Sequence, residues 1–173
     1  MAEHRRTTPN RHRKAPTFPT SKDGCTSTSV DTVDTSYLET LIGYNARRAA
    51  LSVIGLFLQR MAVYGLRPVD FSVLSLITHN PGITSRQLCS ALTILPPNLV
   101  GMVNTLEGRG LIQRLPHPRD RRALGLHLTP DGEALMREAE VTASNLEDEA
   151  AGRLTGAERD TLIRLLRKVY LPD

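Results

Sequence analysis

The stretch from Thr84 to Thr129, TSRQLCSALTILPPNLVGMVNTLEGRGLIQRLPHPRDRRALGLHLT, constrains this chain more than any other. It changes hydrophobic period in the middle. Before Gly108-Arg109-Gly110 the apolar residues recur at helical spacing. After it, Leu124, Leu126 and Leu128 alternate with Gly125 and His127, the period of a strand. Two apolar segments, Leu111 to Leu115 and Leu124 to Thr129, are predicted to pair as an antiparallel hairpin. The connection between them, Pro116 to Ala123, is longer than a tight turn and carries Arg119, Arg121 and Arg122 against Asp120.

The helices around this segment announce their ends. Ser36-Tyr-Leu-Glu39, Thr84-Ser-Arg-Gln87 and Thr155-Gly-Ala-Glu158 have the spacing of capping boxes, in which hydroxyl and carboxylate or amide satisfy each other's backbone N–H groups. A first helix is predicted from about Tyr37 to Val63, with Leu38, Leu41, Ile42, Ala49, Val53, Leu56, Phe57 and Tyr64 at helical spacing and Gly65 as its stop. That stripe is too long for a small domain to bury alone and calls for a partner helix. Pro68 opens a second helix, which Asn80-Pro81-Gly82 ends. A short third helix holds Leu88, Cys89 and Leu92. Thr93 to Leu95 turn the chain, and Pro96-Pro97 start a fourth. Thr129-Pro130 caps a fifth, with Leu135, Met136, Ala139 and Leu146 inward, and a last helix carries Leu162, Leu165, Leu166 and Val169.

Composition narrows the class. Aromatic residues are 4% of the 173 and Trp is absent, so the core is aliphatic and suits helix packing. The net charge of +4 is placed unevenly. Residues 1–22 carry Arg5, Arg6, Arg11, Arg13, Lys14 and Lys22 against Glu3 alone, which leaves the rest near neutral. Residues 1–34 lack bulky apolar side chains and are expected to be disordered, either as a plain tail or as a basic arm along DNA phosphates. Cys25 and Cys89 have neither metal-site spacing nor a disulfide pattern, which fits a reducing cytoplasm. No apolar run has membrane-spanning length. No catalytic triad, metal cluster or phosphate loop is present, so an enzyme is not expected, nor a cofactor or metal.

Helix, turn, helix, strand, basic loop, strand is the order of a helix-turn-helix with a wing, so the expected fold class is mainly α with a small β-hairpin. The fourth helix has a suitable asymmetry for a DNA major groove. Leu99, Met102, Val103 and Leu106 form its inward stripe, and Asn98, Gly101, Asn104 and Thr105 lie opposite. Asn98 and Asn104 are expected at adenine edges, Thr105 at a phosphate or base, and Gly101 where the backbone approaches the groove. Pro97 belongs to the helix start, where amides favour phosphate. This helix has no Arg or Lys of its own, so Arg86, Gln87, Arg109 and the wing arginines Arg119, Arg121 and Arg122 are expected to supply further contacts. Asp120 is expected to brace a neighbouring arginine. An ordinary core helix followed by a solvated charged turn is the competing reading.

Residues 37–170 resemble the MarR family of winged-helix regulators. The resemblance is carried by Leu106, Glu107, Gly110, Leu111, Ile112 and Arg114, by the wing run His117-Pro-Arg-Asp-Arg-Arg122, and by Leu128, Thr129 and Gly132. It implies a sequence-specific regulator of transcription. It also implies a homodimer clasped through residues 35–65 and 130–173, with the winged helix-turn-helix at 66–129. The implied partners are a pseudo-palindromic double-stranded operator and a small aromatic or phenolic acid that releases it as repressor. By the same resemblance a ligand cleft is expected where the first, second and fifth helices meet, with Tyr44, Arg47, Arg48, Tyr64, Phe71 and His79 as candidates. Two alternatives remain open: an architectural DNA binder without a ligand, and a regulator that senses oxidants through cysteine. Three features depart from the family pattern. His117 stands where the wing usually has Asp, Gly101 and Thr105 stand where basic residues are common, and the basic tail lies outside the shared core.

Overall fold

The computed structural model describes residues 33–117 and 120–171, and only the backbone of 117 and 120–123. The expected arm at 1–34 lies almost wholly outside the described residues. From Thr35 onward the chain is one compact unit.

The first long helix is interrupted. A short α1, Ser36–Glu39, is followed by α2, Ile42–Met61, and a 3-10 turn, Ala62–Tyr64. Side chains cause the break by bonding carbonyls in competition with the helix ladder. Asn45 Nδ2 donates to the carbonyls of Glu39 and Leu41 at 2.7 and 2.9 Å, and Thr40 Oγ1 donates to that of Tyr37. Leu41 between them is extended. The capping box expected at Ser36 is also corrected. Ser36 is the first helical residue, and the hydroxyl that meets Glu39 belongs to Thr35. Gly65 does end the element, at φ 59°.

α3, Pro68–His79, begins at its proline as expected. Its start carries a feature the pattern did not suggest. Asp70, buried, takes a bidentate contact from Arg67, Nε to Oδ2 at 2.7 Å and Nη2 to Oδ1 at 2.9 Å. α4, Ser85–Leu92, is capped by Thr84, whose Oγ1 accepts from the Gln87 N–H while the Gln87 side chain accepts from the Thr84 N–H. α5, Pro96–Gly108, follows a turn in which Thr93 takes the left-handed conformation, so that the Ile94 N–H reaches the Cys89 carbonyl.

The hairpin is longer than predicted. β1, Ile112–His117, and β2, Asp120–Leu128, pair antiparallel, Ile112 opposite Leu128; the register is regular to Pro116 opposite Leu124 and then shifts, with His117 opposite Asp120. β2 also gains an outer neighbour: Gly82 N–H donates to the Leu126 carbonyl and Leu126 N–H to that of Ile83, both at 2.9 Å. Gly125 lets these backbones meet, since a Cβ there would lie 2.8 Å from the Gly82 carbonyl oxygen.

α6, Pro130–Ala150, is capped by Thr129, and α7, Gly156–Tyr170, by the Thr155–Glu158 box. The core joins Met61, Val73, Leu74, Ile77, Leu88, Leu99, Val103, Leu106, Leu126 and Met136, with α2 packed along α6. Inward positions expected for α3 to α6 are buried or half-buried. Those expected for the terminal helices mostly are not. Leu38, Leu41 and Ile42 are exposed, and so are Leu162, Leu165, Leu166 and Val169 on α7.

Candidate nucleic-acid interface

α4 and α5 pack through Leu88 and Leu99, and the hairpin follows directly from α5. The inner face of α5 is Leu99, Val103 and Leu106, all buried. Helical spacing then turns Pro97, Gly101 and Asn104 outward, with Asn98 and Thr105 on one flank; all five are exposed. Val100, 53% exposed, stands one turn before Asn104 on the other flank. Its apolar side chain gives no polar signal in the sequence, and only its position on the helix places it there. Arg86 and Gln87 are exposed on α4. Seven of the expected DNA-contact residues, Arg86, Gln87, Pro97, Asn98, Gly101, Asn104 and Thr105, are thus displayed by the helix-turn-helix.

Several of these side chains already have protein partners. The Thr105 hydroxyl donates to the Gly101 carbonyl at 2.9 Å, which leaves its oxygen lone pairs for a ligand. Gln87 belongs to the cap of α4. Arg109 turns back from the end of α5 and donates to the carbonyls of Gly65 and Tyr64 at 2.9 and 2.8 Å. These carbonyls close the 3-10 turn after α2, so Arg109 ties the end of α5 to the corner between α2 and α3. Its charge also acts on Asp70. Burial pushes the Asp70 carboxyl up, but the hydrogen bonds and charge of Arg67, with the charge of Arg109, outweigh that and hold it below the ordinary range.

Asn104 is held from the hairpin. Arg114 on β1 donates from Nη2 to Asn104 Oδ1, and the same nitrogen lies 3.2 Å from Glu107 Oε2. Neither Arg114 nor Glu107 was among the expected site residues, although both lie in the run that carries the resemblance. Arg119 lies outside the described residues, and the side chains of Asp120, Arg121 and Arg122 do too; the backbone of the last three belongs to β2.

The six ligand candidates do not converge in the single chain. Tyr64 and Phe71 pack against the core, Phe71 edge-on to Phe57 at 5.7 Å between ring centres, and the Tyr64 hydroxyl bonds that of Thr142 at 3.0 Å. His79 Nε2 lies 3.0 Å from Glu140 Oε1. Tyr44 is half-buried on α2, and Arg47 and Arg48 are exposed. A cleft of about 290 Å³ opens elsewhere, between the end of α3, β2 and the start of α6, and none of the six lines it. Its polar lining is Thr78, His127, Glu133, Arg137 and Glu140. Cys89 is half-buried against the core, and Cys25 lies outside the described residues. Among the described residues no single helix is long and apolar enough to cross a membrane.

Residues 66–124 match the model of the MarR family. A Thauera aromatica protein, named as a transcriptional regulatory protein for the hcr operon, is 33% identical over 76% of this chain and 80% of its own length. The transcriptional repressor CouR, solved bound to a 23-mer DNA duplex, superposes with a TM-score of 0.76 at 37% identity, covering 81% of this chain and 99% of that one. CouR from Rhodococcus jostii RHA1, solved bound to p-coumaroyl-CoA, gives 0.73 at 26% identity, over 79% and 96%.

Proposed function

Because this chain belongs to the MarR family of transcription regulators, we propose that it is a homodimeric repressor of a pseudo-palindromic operator, released by a small aromatic or phenolic acid or its thioester. The observation that carries the DNA half of this reading is the exposed polar row of α5, Asn98, Gly101, Asn104 and Thr105, beside a hairpin with arginines in its wing segment. A major groove accepts such a helix, and a narrow minor groove attracts arginine. The relative solved on a duplex supports the same placement.

Dimerisation is supported by the apolar surface of the terminal helices. Ile42, Leu51, Ile54 and Leu58 on α2 and Leu162, Ile163, Leu166 and Val169 on α7 are each at least two-fifths exposed in the single chain. Apolar residues in such number mark an interface. The release step is supported by the relative that binds an aromatic thioester. Its pocket in this chain would be completed only by the second protomer, since Tyr44, Arg47 and Arg48 stand on the helix expected to clasp it. A chain that reads DNA works where DNA is, and two scattered thiols fit the reducing cytoplasm.

The test is competition. Fluorescence anisotropy of a duplex from upstream of the chain's own gene, challenged with bulk DNA at fixed salt, is expected to show at least about a thousandfold preference. Titration with aromatic acids then releases the duplex. Equal affinity for bulk DNA and operator would identify the architectural alternative instead.

A further inference from the structure

Arg114 reaches the DNA-facing helix from outside it. It stands on β1 opposite Leu126, and its Nη2 donates to Asn104 Oδ1 at 2.5 Å. Glu107, one turn along α5 from Asn104, lies 3.2 Å from the same nitrogen and anchors it. A guanidinium has only donors. Reversing the Asn104 amide would set its NH2 against those donors, so the contact admits one orientation. Oδ1 turns back to the hairpin with one of its two lone pairs engaged, and Nδ2 is the end left wholly for a ligand.

An asparagine that reads adenine uses both ends: Oδ1 accepts from N6 while Nδ2 donates to N7. Guanine instead presents two neighbouring acceptors, N7 and O6, to the major groove. The residues that most often read them, Arg and Lys, are absent from α5. We propose that Arg114 is a positioning residue that fixes Asn104 as a donor, so that Asn104 reads guanine at one position of each half-site. This replaces the adenine contact expected from residue type alone, and it rests on the operator-binding reading above.

The experiment selects duplexes with a randomised core using the full chain, then titrates the enriched duplex with each base pair at every position. Guanine is expected to be favoured about tenfold over adenine at one position per half-site, and N104A abolishes that preference. 7-Deazaguanine at this position weakens binding by the wild-type chain and leaves N104A unaffected. R114M, which removes the donor and frees the amide to turn, lets adenine bind as well as guanine; R114K, which restores a donor, recovers the preference. The deazaguanine arm uses no Arg114 variant, so it decides even if R114M does not fold. An adenine preference in the wild type, or a guanine preference unchanged in R114M or N104A, overturns the proposal and leaves operator binding intact. If no duplex is enriched over bulk DNA, both readings fall.

Discussion

Gly132 is where two backbones touch. A Cβ at this position would fall on the carbonyl of Leu111, at the entry to β1, and a carbonyl cannot swing aside as a flexible side chain can. Gly132→Ala is therefore expected to cost about 3 kcal/mol, the upper part of the range for overpacking, measured by urea unfolding. Asp70 is a different kind of constraint. Its folded carboxyl is held below the ordinary value of about 4, so its contribution is present above that pH and is lost as pH falls through the lower folded value. Asp70→Asn should destabilise the chain by about 2 kcal/mol at neutral pH, a figure already reduced because the Arg67 guanidinium is largely exposed. Melting curves of variant and wild type should converge towards acid pH; a constant gap down to pH 2 would show that Asp70 stays protonated or unpaired. Gly132 could be singled out in the sequence as part of Leu-Thr-x-x-Gly. The Arg67–Asp70 pair lies at i, i+3 across a helix start, yet only burial shows that it matters.

At the scale of elements, the capping boxes at Thr84 and Thr155 and the proline starts of α3, α5 and α6 were legible, because those bonds close within three residues. The break between α1 and α2 was not. It depends on Asn45 choosing carbonyls across the gap over solvent, a choice that helical periodicity does not record. The extra length of the hairpin was hidden for a similar reason: a run of charged residues looks like loop, whereas its backbone here belongs to β2. The wing also carries a functional expectation. Arg121→Ala should weaken binding to all duplexes by a similar factor and reduce the salt dependence of log K by about 1, as loss of one phosphate contact requires. A slope equal to wild type would remove Arg121 from the interface. Arg109 has a role that residue type does not reveal: its guanidinium, exposed after the DNA-facing helix, also closes the corner between α2 and α3.

For the whole molecule the decisive surface is the one left open. The winged body has a closed core, whereas α7 buries no residue in the single chain. Leu166→Glu on α7 is expected to turn the dimer into a monomer by light scattering and to lower operator affinity steeply, because the two half-sites would then bind independently. The winged body should keep its fold by circular dichroism. A Leu166→Glu protein that remains a tight dimer would place the interface elsewhere. Of the ligand candidates, Arg47 and Arg48 share this openness on α2, and Tyr44 beside them is half-buried.

Period, caps and charge placement in the one-dimensional chain determined the order of elements, the helix-turn-helix and its wing, because each of those signals is local to a few residues. The tertiary structure alone decided what those side chains do. It set Arg109 against the corner after α2 and brought Arg114 from β1 onto Asn104. The physical reason is that a polar side chain has several partners within reach of its type, and only the packing of distant segments selects among them.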